Sequence, residues 1–189
     1  MIQARLRAHP RQLLLLTRAQ LGPSRLEHGG AIGQGERKLA RPFSGKRPMH
    51  LVLGSSRARG PWHLRRPQHA AKIHAAMRAA GRRHGVRVYE FANAGNHLHL
   101  LVRARSRAEF QSFLRGLAGI VARIVTGATK GRPIGKFWDS LAYSRVLQWG
   151  QELCGIRDYV LRNELEALRL IPYQERPSRR SPRAGPARR

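Results

Sequence analysis

Two hydrophobic periods alternate between residues 49 and 169, and this alternation constrains the fold more than any other feature of the sequence. Stretches with a period of two, typical of strands, alternate with stretches in which apolar residues recur every three or four positions, as in amphipathic helices. The order of strand, helix, strand, strand, helix, strand, helix predicts an α+β domain with a ferredoxin-like antiparallel sheet and helices packed on it. The strand-like stretches are 49–53, 86–92, 97–102 and 142–147, and the helix-like stretches are 67–84, 106–124 and 151–169.

Residues that favour turns and helix ends separate these stretches. Gly85 follows the first helix, where a left-handed residue commonly ends a helix. The run Asn93-Ala94-Gly95-Asn96 predicts a hairpin between the second and third strands. Ser106 and Glu109 have the spacing of a capping box and predict the start of the second helix.

The composition of the two ends predicts basic tails around one domain. Residues 1–45 are rich in basic residues and glycine and show no sustained hydrophobic period, and residues 174–189 are rich in basic residues and proline. Both segments are predicted to be flexible. The folded domain is expected to span 46–173. The apolar run 13–16 is far shorter than the roughly 20 residues of a membrane span, so we expect a cytosolic, nucleoid-associated protein. Cys154 is the single cysteine, which excludes an internal disulfide, and we expect it to be buried.

The charge of the chain predicts a polyanionic partner. Lys and Arg number 37 against 10 Asp and Glu, which gives a formal net charge of +27. A surplus of this size favours nucleic acid as the partner. The basic residues expected to contact DNA flank the predicted strands or lie in the loop before the last strand: Arg37, Lys38, Arg41, Lys46, Arg47, Arg103, Arg105, Lys130 and Arg132.

Four residues have spacings that allow them to form a chemical site. His97 and His99 are two apart in a strand and therefore point to the same face, where they can act as a pair of metal ligands. Tyr159 and Asn163 are four apart on the last helix and share one of its faces. The amide oxygen can complete a metal site, and the phenol can serve as a nucleophile. Taken singly, the histidines could be structural, Tyr159 a core residue and Asn163 an exposed polar residue.

Three segments resemble the HUH single-strand transposases, and most closely the branch of REP-associated tyrosine transposases. NHLHLLV at 96–102 is similar to the family's His-hydrophobic-His motif, and DYVLRNELEAL at 158–168 is similar to its tyrosine helix. FWDSLAYSRVL at 137–147 is similar to its tryptophan-led segment. The resemblance covers roughly 46–171. Glu164 departs from the proline usual after the helix asparagine. Because it points about 100° away from Asn163 on a helix, we do not expect it to bind metal.

The resemblance implies a mechanism and a substrate. His97, His99 and Asn163 would hold Mg²⁺ or Mn²⁺, and Tyr159 would attack a phosphate of single-stranded or hairpin DNA. The product would be a 5′-phosphotyrosine link and a free 3′ hydroxyl. Two alternatives stay open: a non-enzymatic nucleic-acid-binding protein on the same scaffold, and a nuclease in which water attacks. The sequence also leaves open whether the protein is a monomer or a homodimer.

Overall fold

All seven predicted elements are present in the predicted order, together with one additional short strand. The structure, a computed structural model, describes residues 26–30 and 40–174. The strands are β1 (Glu27–His28), β2 (Met49–Gly54), β3 (Arg87–Asn93), β4 (His97–Arg103) and β5 (Tyr143–Val146). The helices are α1 (Pro67–Arg83), α2 (Arg107–Thr126) and α3 (Gln151–Ala167), with a 3-10 turn at Gly60–Trp62.

The strands form one antiparallel sheet in the order β1-β5-β2-β4-β3. Without the short β1, this is the strand order of a ferredoxin-like sheet, and the predicted fold class is confirmed. The two central strands, β2 and β4, pair with Val52 opposite His99 and Gly54 opposite His97. The added strand β1 comes from the 1–45 segment and extends the sheet beside β5.

Helices α1 and α2 cover one face of the sheet and enclose the core. Leu51 in β2 and Leu98 and Leu100 in β4 point to this face and are fully buried. They pack with apolar residues of the two helices, among them Ile73 and Phe113. Because side chains alternate along a strand, the residues between these leucines must point to the opposite face.

The predicted ends of α1 and α2 are also present. Ser106 Oγ accepts from the Glu109 backbone N–H at 3.2 Å, and Glu109 Oε2 accepts from the Ser106 N–H at 3.2 Å, which completes the capping box. Gly127 closes α2 in the left-handed conformation with φ of 68°, and Gly85 adopts φ of 64° just after α1. The capping box sets where α2 begins after β4, and Gly85 sets where α1 ends before β3.

Helix α3 lies on the other face of the sheet and has few buried side chains, Val160 and Asn163. Ion pairs help to hold it: Arg157 Nη2 lies 2.7 Å from Glu90 Oε1 of β3, and Arg145 of β5 bonds Glu152 at 2.5 Å. The expectation that Cys154 is buried is wrong, because its side chain is exposed. Cys154 precedes Asn163 by nine residues, which at about 100° per residue places it on the opposite side of the helix.

The helices of the described residues include none that is long and apolar enough to cross a membrane.

Candidate active site

The two histidines of β4 lie on the sheet face that α3 covers. Leu98 and Leu100, which alternate with them, are completely buried in the core on the other face. His97 and His99 therefore project side by side, with ring centroids 4.6 Å apart. His99 is 2% exposed, whereas His97 is half-buried nearer the hairpin turn. A central, hydrogen-bonded strand thus presents both imidazoles to α3.

Helix α3 brings its tyrosine to these histidines. The Tyr159 ring stands perpendicular to the His99 ring at a centroid distance of 5.4 Å. Asn163 follows one turn later on the same side of the helix and is 3% exposed. Its Nδ2 donates to the Tyr159 backbone carbonyl at 2.6 Å. The structure therefore places His97, His99 and Tyr159 together, with Asn163 in the adjoining turn of the covered face.

His50 is a member of this group that the sequence analysis did not select. It lies in β2 with 5% exposure, and its Nε2 is 3.2 Å from Nδ1 of His99. Its ring is also 6.1 Å from the Tyr159 ring and 6.1 Å from the Tyr143 ring. The alternation in Met49 to Leu53 already indicated that His50 points away from the core. The missing information was the adjacency of β2 and β4, which brings this face beside His99.

Hydrogen bonds at Nδ1 constrain where the two histidine rings carry their protons. Nδ1 of His97 lies 2.5 Å from Oδ1 of Asn96. An amide oxygen only accepts, so Nδ1 of His97 carries a proton, and in a neutral ring the lone pair is then on Nε2. His99 likewise engages Nδ1, in its case with His50. For His99 the position of the proton depends on which ring of the His50–His99 pair donates.

A divalent metal in this site would have few protein ligands. Within residues 26–30 and 40–174, no group of three or more His, Cys, Asp and Glu is arranged to hold a metal ion. A site here would consist of two imidazole nitrogens and the oxygen of Asn163. Mg²⁺ prefers oxygen ligands, so Mn²⁺ fits this mixed set better of the two predicted ions.

The predicted DNA-contacting residues fall into different environments. Arg37 and Lys38 lie outside the described residues. Arg41 is half-buried, and its Nη1 donates to Ala142 O at 2.8 Å and to Ser144 Oγ at 2.5 Å. Desolvation by burial lowers the pKa of Arg41. This arginine therefore joins the segment before β2 to β5, and its contact with DNA stays a prediction.

The other predicted contacts lie toward two ends of the sheet. Because β2 and β4 are antiparallel, with Met49 opposite Val102, the residues just before β2 and just after β4 lie at the same end. These are Lys46, Arg47, Arg103 and Arg105, of which Arg103 is half-buried and the others are exposed. Lys130 and Arg132 are exposed in the loop between α2 and β5. This loop returns to the other end of the sheet, where the Asp139 N–H donates to O of Gly54, the last residue of β2, at 3.1 Å.

Further basic residues, not selected from the sequence, lie close to the end of the sheet that carries His97. The loop after β2 is attached to the hairpin by the Ser55 N–H, which donates to Asn96 O at 2.9 Å. In this loop Arg57 and Arg59 are exposed, and the Arg57 guanidinium lies 4.8 Å from the centroid of the Trp62 ring. The sequence feature that could have identified them is the run SSRARG, which directly follows a predicted strand.

No protein-family model matches the sequence, and no curated protein matches it. Among solved structures, the chain is similar to the crystal structure of a candidate transposase from Deinococcus radiodurans. The two share 18% sequence identity, and the match covers 68% of this chain and 98% of the other, with a TM-score of 0.41.

Proposed function

We propose that the protein is a transposase-type endonuclease and strand transferase for single-stranded DNA, with Tyr159 as the nucleophile. The observation that carries the proposal is the position of the Tyr159 ring, 5.4 Å from that of His99 on a face shared with His97. A tyrosine hydroxyl and two strand-borne imidazoles lie together on this face, with a buried asparagine amide in the adjoining helical turn. They are the groups needed for nucleophilic attack on a phosphodiester.

Each residue has a distinct role in this proposal. Tyr159 would attack the phosphorus through its hydroxyl oxygen, whose proton passes through water to the departing 3′ oxygen as the new P–O bond forms. The bond to the 3′ oxygen breaks, and that oxygen takes up a proton and leaves as a 3′ hydroxyl. His97, His99 and Asn163 would hold a divalent ion, which when bound would offset charge on the phosphoryl oxygen and orient it.

The covalent link explains why the activity would include strand transfer. A phosphotyrosine ester keeps the bond energy of the broken phosphodiester, so a 3′ hydroxyl can later attack it and restore the DNA backbone.

The substrate proposal rests on charge and exposed aromatic surface. Basic side chains lie toward both ends of the sheet, and a chain of +27 net charge attracts the DNA backbone strongly. Trp149 is 51% exposed beside Lys46, whose backbone carbonyl accepts from its indole N–H at 3.0 Å. An exposed indole next to basic residues can stack on an unpaired base. We therefore include hairpins with unpaired flanks among the substrates.

The test uses hairpin DNA labelled at either its 3′ or its 5′ end, incubated with the full-length protein and Mn²⁺ and run on a denaturing protein gel. A 5′-phosphotyrosine link predicts labelled protein with the 3′ label and none with the 5′ label. Tyr159→Phe should abolish the band. Tyr143→Phe is the matched control, because Tyr143 also lies near His50, and it should retain the band.

Other outcomes would point to other functions. Cleavage that depends on Mn²⁺ but leaves no labelled protein would indicate attack by water and a hydrolytic nuclease. Binding without cleavage, on several hairpins, would support a non-enzymatic binding protein.

A further inference from the structure

The pair formed by His50 and His99 has the geometry of a directed hydrogen bond. The facing nitrogens are 3.2 Å apart, and the ring planes differ by only 6°. The ring centroids are 5.4 Å apart, which exceeds the nitrogen separation by about the diameter of one imidazole ring. The two rings therefore lie nearly edge to edge, with the bond close to the direction of the nitrogen lone pair.

From this pair we infer that His50 is a positioning residue, which holds His99 in the tautomer with its proton on Nδ1. In that arrangement Nδ1–H of His99 donates to Nε2 of His50, and the lone pair of His99 is left on Nε2. The reverse arrangement would place a proton on Nε2 of His99 and remove it as a ligand. The inference rests on the proposed function in one respect, namely that Nε2 of His99 is directed to a metal.

The environment of His50 supports a fixed role. It is 5% exposed in a central strand, and its ring is flanked by the rings of Tyr143 and Tyr159. A polar ring buried to this extent is stable only when its nitrogens are hydrogen-bonded. Strand pairing fixes the register, since Val52, two residues after His50, lies opposite His99. The acceptor for His99 is therefore part of the folded sheet before any ligand binds.

Each of the two candidate ligands has a hydrogen-bond partner at Nδ1, but the two partners come from different parts of the fold. His97 is half-buried at the hairpin turn, and its Nδ1 is engaged by Asn96, the preceding residue in the chain. His99 is deeper in the sheet and beyond reach of the turn, so the corresponding partner comes from β2. Removal of such a second partner of a metal-binding histidine typically lowers metal affinity 10- to 100-fold.

Two measurements on the full-length protein test the role of His50. The first is a long-range ¹H–¹⁵N spectrum of the metal-free protein at about pH 8, above the usual imidazole pKa of about 6.5, which reports the tautomer. The second is a Mn²⁺ titration followed by electron paramagnetic resonance. His50→Leu removes the acceptor with little change in volume, and His50→Gln keeps a side-chain oxygen within reach of His99. His74→Leu, at an exposed position of α1, is the matched control.

We expect the wild type and His50→Gln to show His99 protonated at Nδ1 and to bind Mn²⁺ within a few-fold of each other. His50→Leu should give a mixture of His99 tautomers and bind Mn²⁺ 10- to 100-fold more weakly, and His74→Leu should behave as wild type. A wild-type His99 protonated at Nε2, or unchanged Mn²⁺ affinity in His50→Leu, would overturn the inference. Nδ1 protonation that depends on His50, in a protein that binds no Mn²⁺, would support the role of His50 and count against the proposed metal.

Discussion

Asn163 shows at the scale of one residue how α3 is adapted to the site. Its side chain is 3% exposed, on a helix where most side chains are at least partly accessible. Burial of an amide without hydrogen bonds costs about 1–3 kcal/mol. Nδ2 avoids part of this cost because it donates to Tyr159 O at 2.6 Å. That bond also turns the amide oxygen away from the helix carbonyl. We interpret this orientation as the reason for an asparagine at this position.

The proposed role of the amide oxygen predicts a difference between two substitutions. Asn163→Asp keeps an oxygen that can bind Mn²⁺ and should retain Mn²⁺ binding, although it loses the hydrogen bond that Nδ2 donates to Tyr159 O. Asn163→Leu keeps the volume but offers no oxygen, and should bind Mn²⁺ at least about tenfold more weakly. Calorimetric titration with Mn²⁺ measures both.

Glu164→Gln is the control for this series. Glu164 lies next to Asn163 in the chain but lines a separate cavity of about 430 Å³ with Arg65 and His74. Its substitution should leave Mn²⁺ affinity unchanged. Equal affinities of Asn163→Leu and the wild type would remove Asn163 from the proposed ligand set.

The sequence predicted single residues well where local spacing decides their position. His97, His99, Tyr159 and Asn163 share faces because of periods of two and four residues, and the structure places them on the predicted faces. Their chemical roles stay predictions. His50 could not be selected in the same way, since its partner lies 49 positions away in another strand. The prediction that Cys154 is buried is wrong for a related reason: residue type does not determine which side of a helix is covered.

The pairing of β1 with β5 shows at the scale of elements how a short segment is held by specific bonds. Two backbone bonds flank it, from the Gly30 N–H to Leu141 O at 2.8 Å and from the Val146 N–H to Leu26 O at 3.0 Å. Burial, and secondarily the positive charge of Arg41, lowers the pKa of His28 in β1 below its usual 6.5. A two-residue strand has no readable period, and its pairing could not be predicted from the sequence.

The lowered pKa of His28 predicts that this pairing weakens in acid. A histidine whose pKa is lower when the strand is paired binds more protons in the unpaired state, so falling pH favours the unpaired state. The contribution is fully present well above pH 6.5, the usual value for His28, and is lost progressively below it. The measurement is hydrogen exchange at the Gly30 and Val146 amides, corrected for intrinsic rates, at about pH 7.5 and 5.5. Protection should fall at the lower pH in the wild type.

His28→Gln is the control for the acid effect, since glutamine does not titrate. In this variant the corrected protection should be the same at both pH values. Equal protection at both pH values in the wild type would show that His28 does not couple to strand pairing.

For the whole molecule, the distribution of charge matters because a net charge of +27 attracts DNA even without a defined binding surface. If DNA binds along a defined row of basic residues, loss of those residues lowers the salt dependence of affinity more than loss of basic residues elsewhere. If binding depends only on total charge, every such loss has the same effect. Each lost phosphate contact to a single strand lowers the slope of log affinity against log salt by about 0.7. The double variants Lys46→Ala with Arg47→Ala, and Lys130→Ala with Arg132→Ala, should each lower the slope by roughly 1 to 1.5. Fluorescence anisotropy across a salt series measures it.

Arg82→Ala with Arg83→Ala removes two exposed charges at the end of α1 and serves as the control. These residues lie in a helix on the core-covering face, away from the α3 side. The slope of the control should match the wild type. An equal loss in all three double variants would show that binding depends on total charge and would contradict binding along a defined row of basic residues.

The fold class could be predicted for the whole molecule, but the strand order could not. The alternation of periods gives the sequence of elements, and the ferredoxin-like order then brings β2 beside β4, which is the contact that assembles the candidate site. That adjacency depends on pairing between distant segments and has no local signature. The net charge predicts nucleic acid as the class of partner. Because basic residues are spread along the whole chain, the charge does not predict which surface binds it.

Identification of the residue attached to DNA tests the central claim most directly. The full-length protein is incubated with hairpin DNA and Mn²⁺, digested with trypsin and nuclease, and analysed by mass spectrometry for a nucleotide on each of its four tyrosines. We predict a nucleotide joined through its 5′ phosphate to Tyr159 and to none of Tyr89, Tyr143 and Tyr173. Attachment at another tyrosine, or cleaved DNA with no modified peptide, would contradict Tyr159 as the nucleophile.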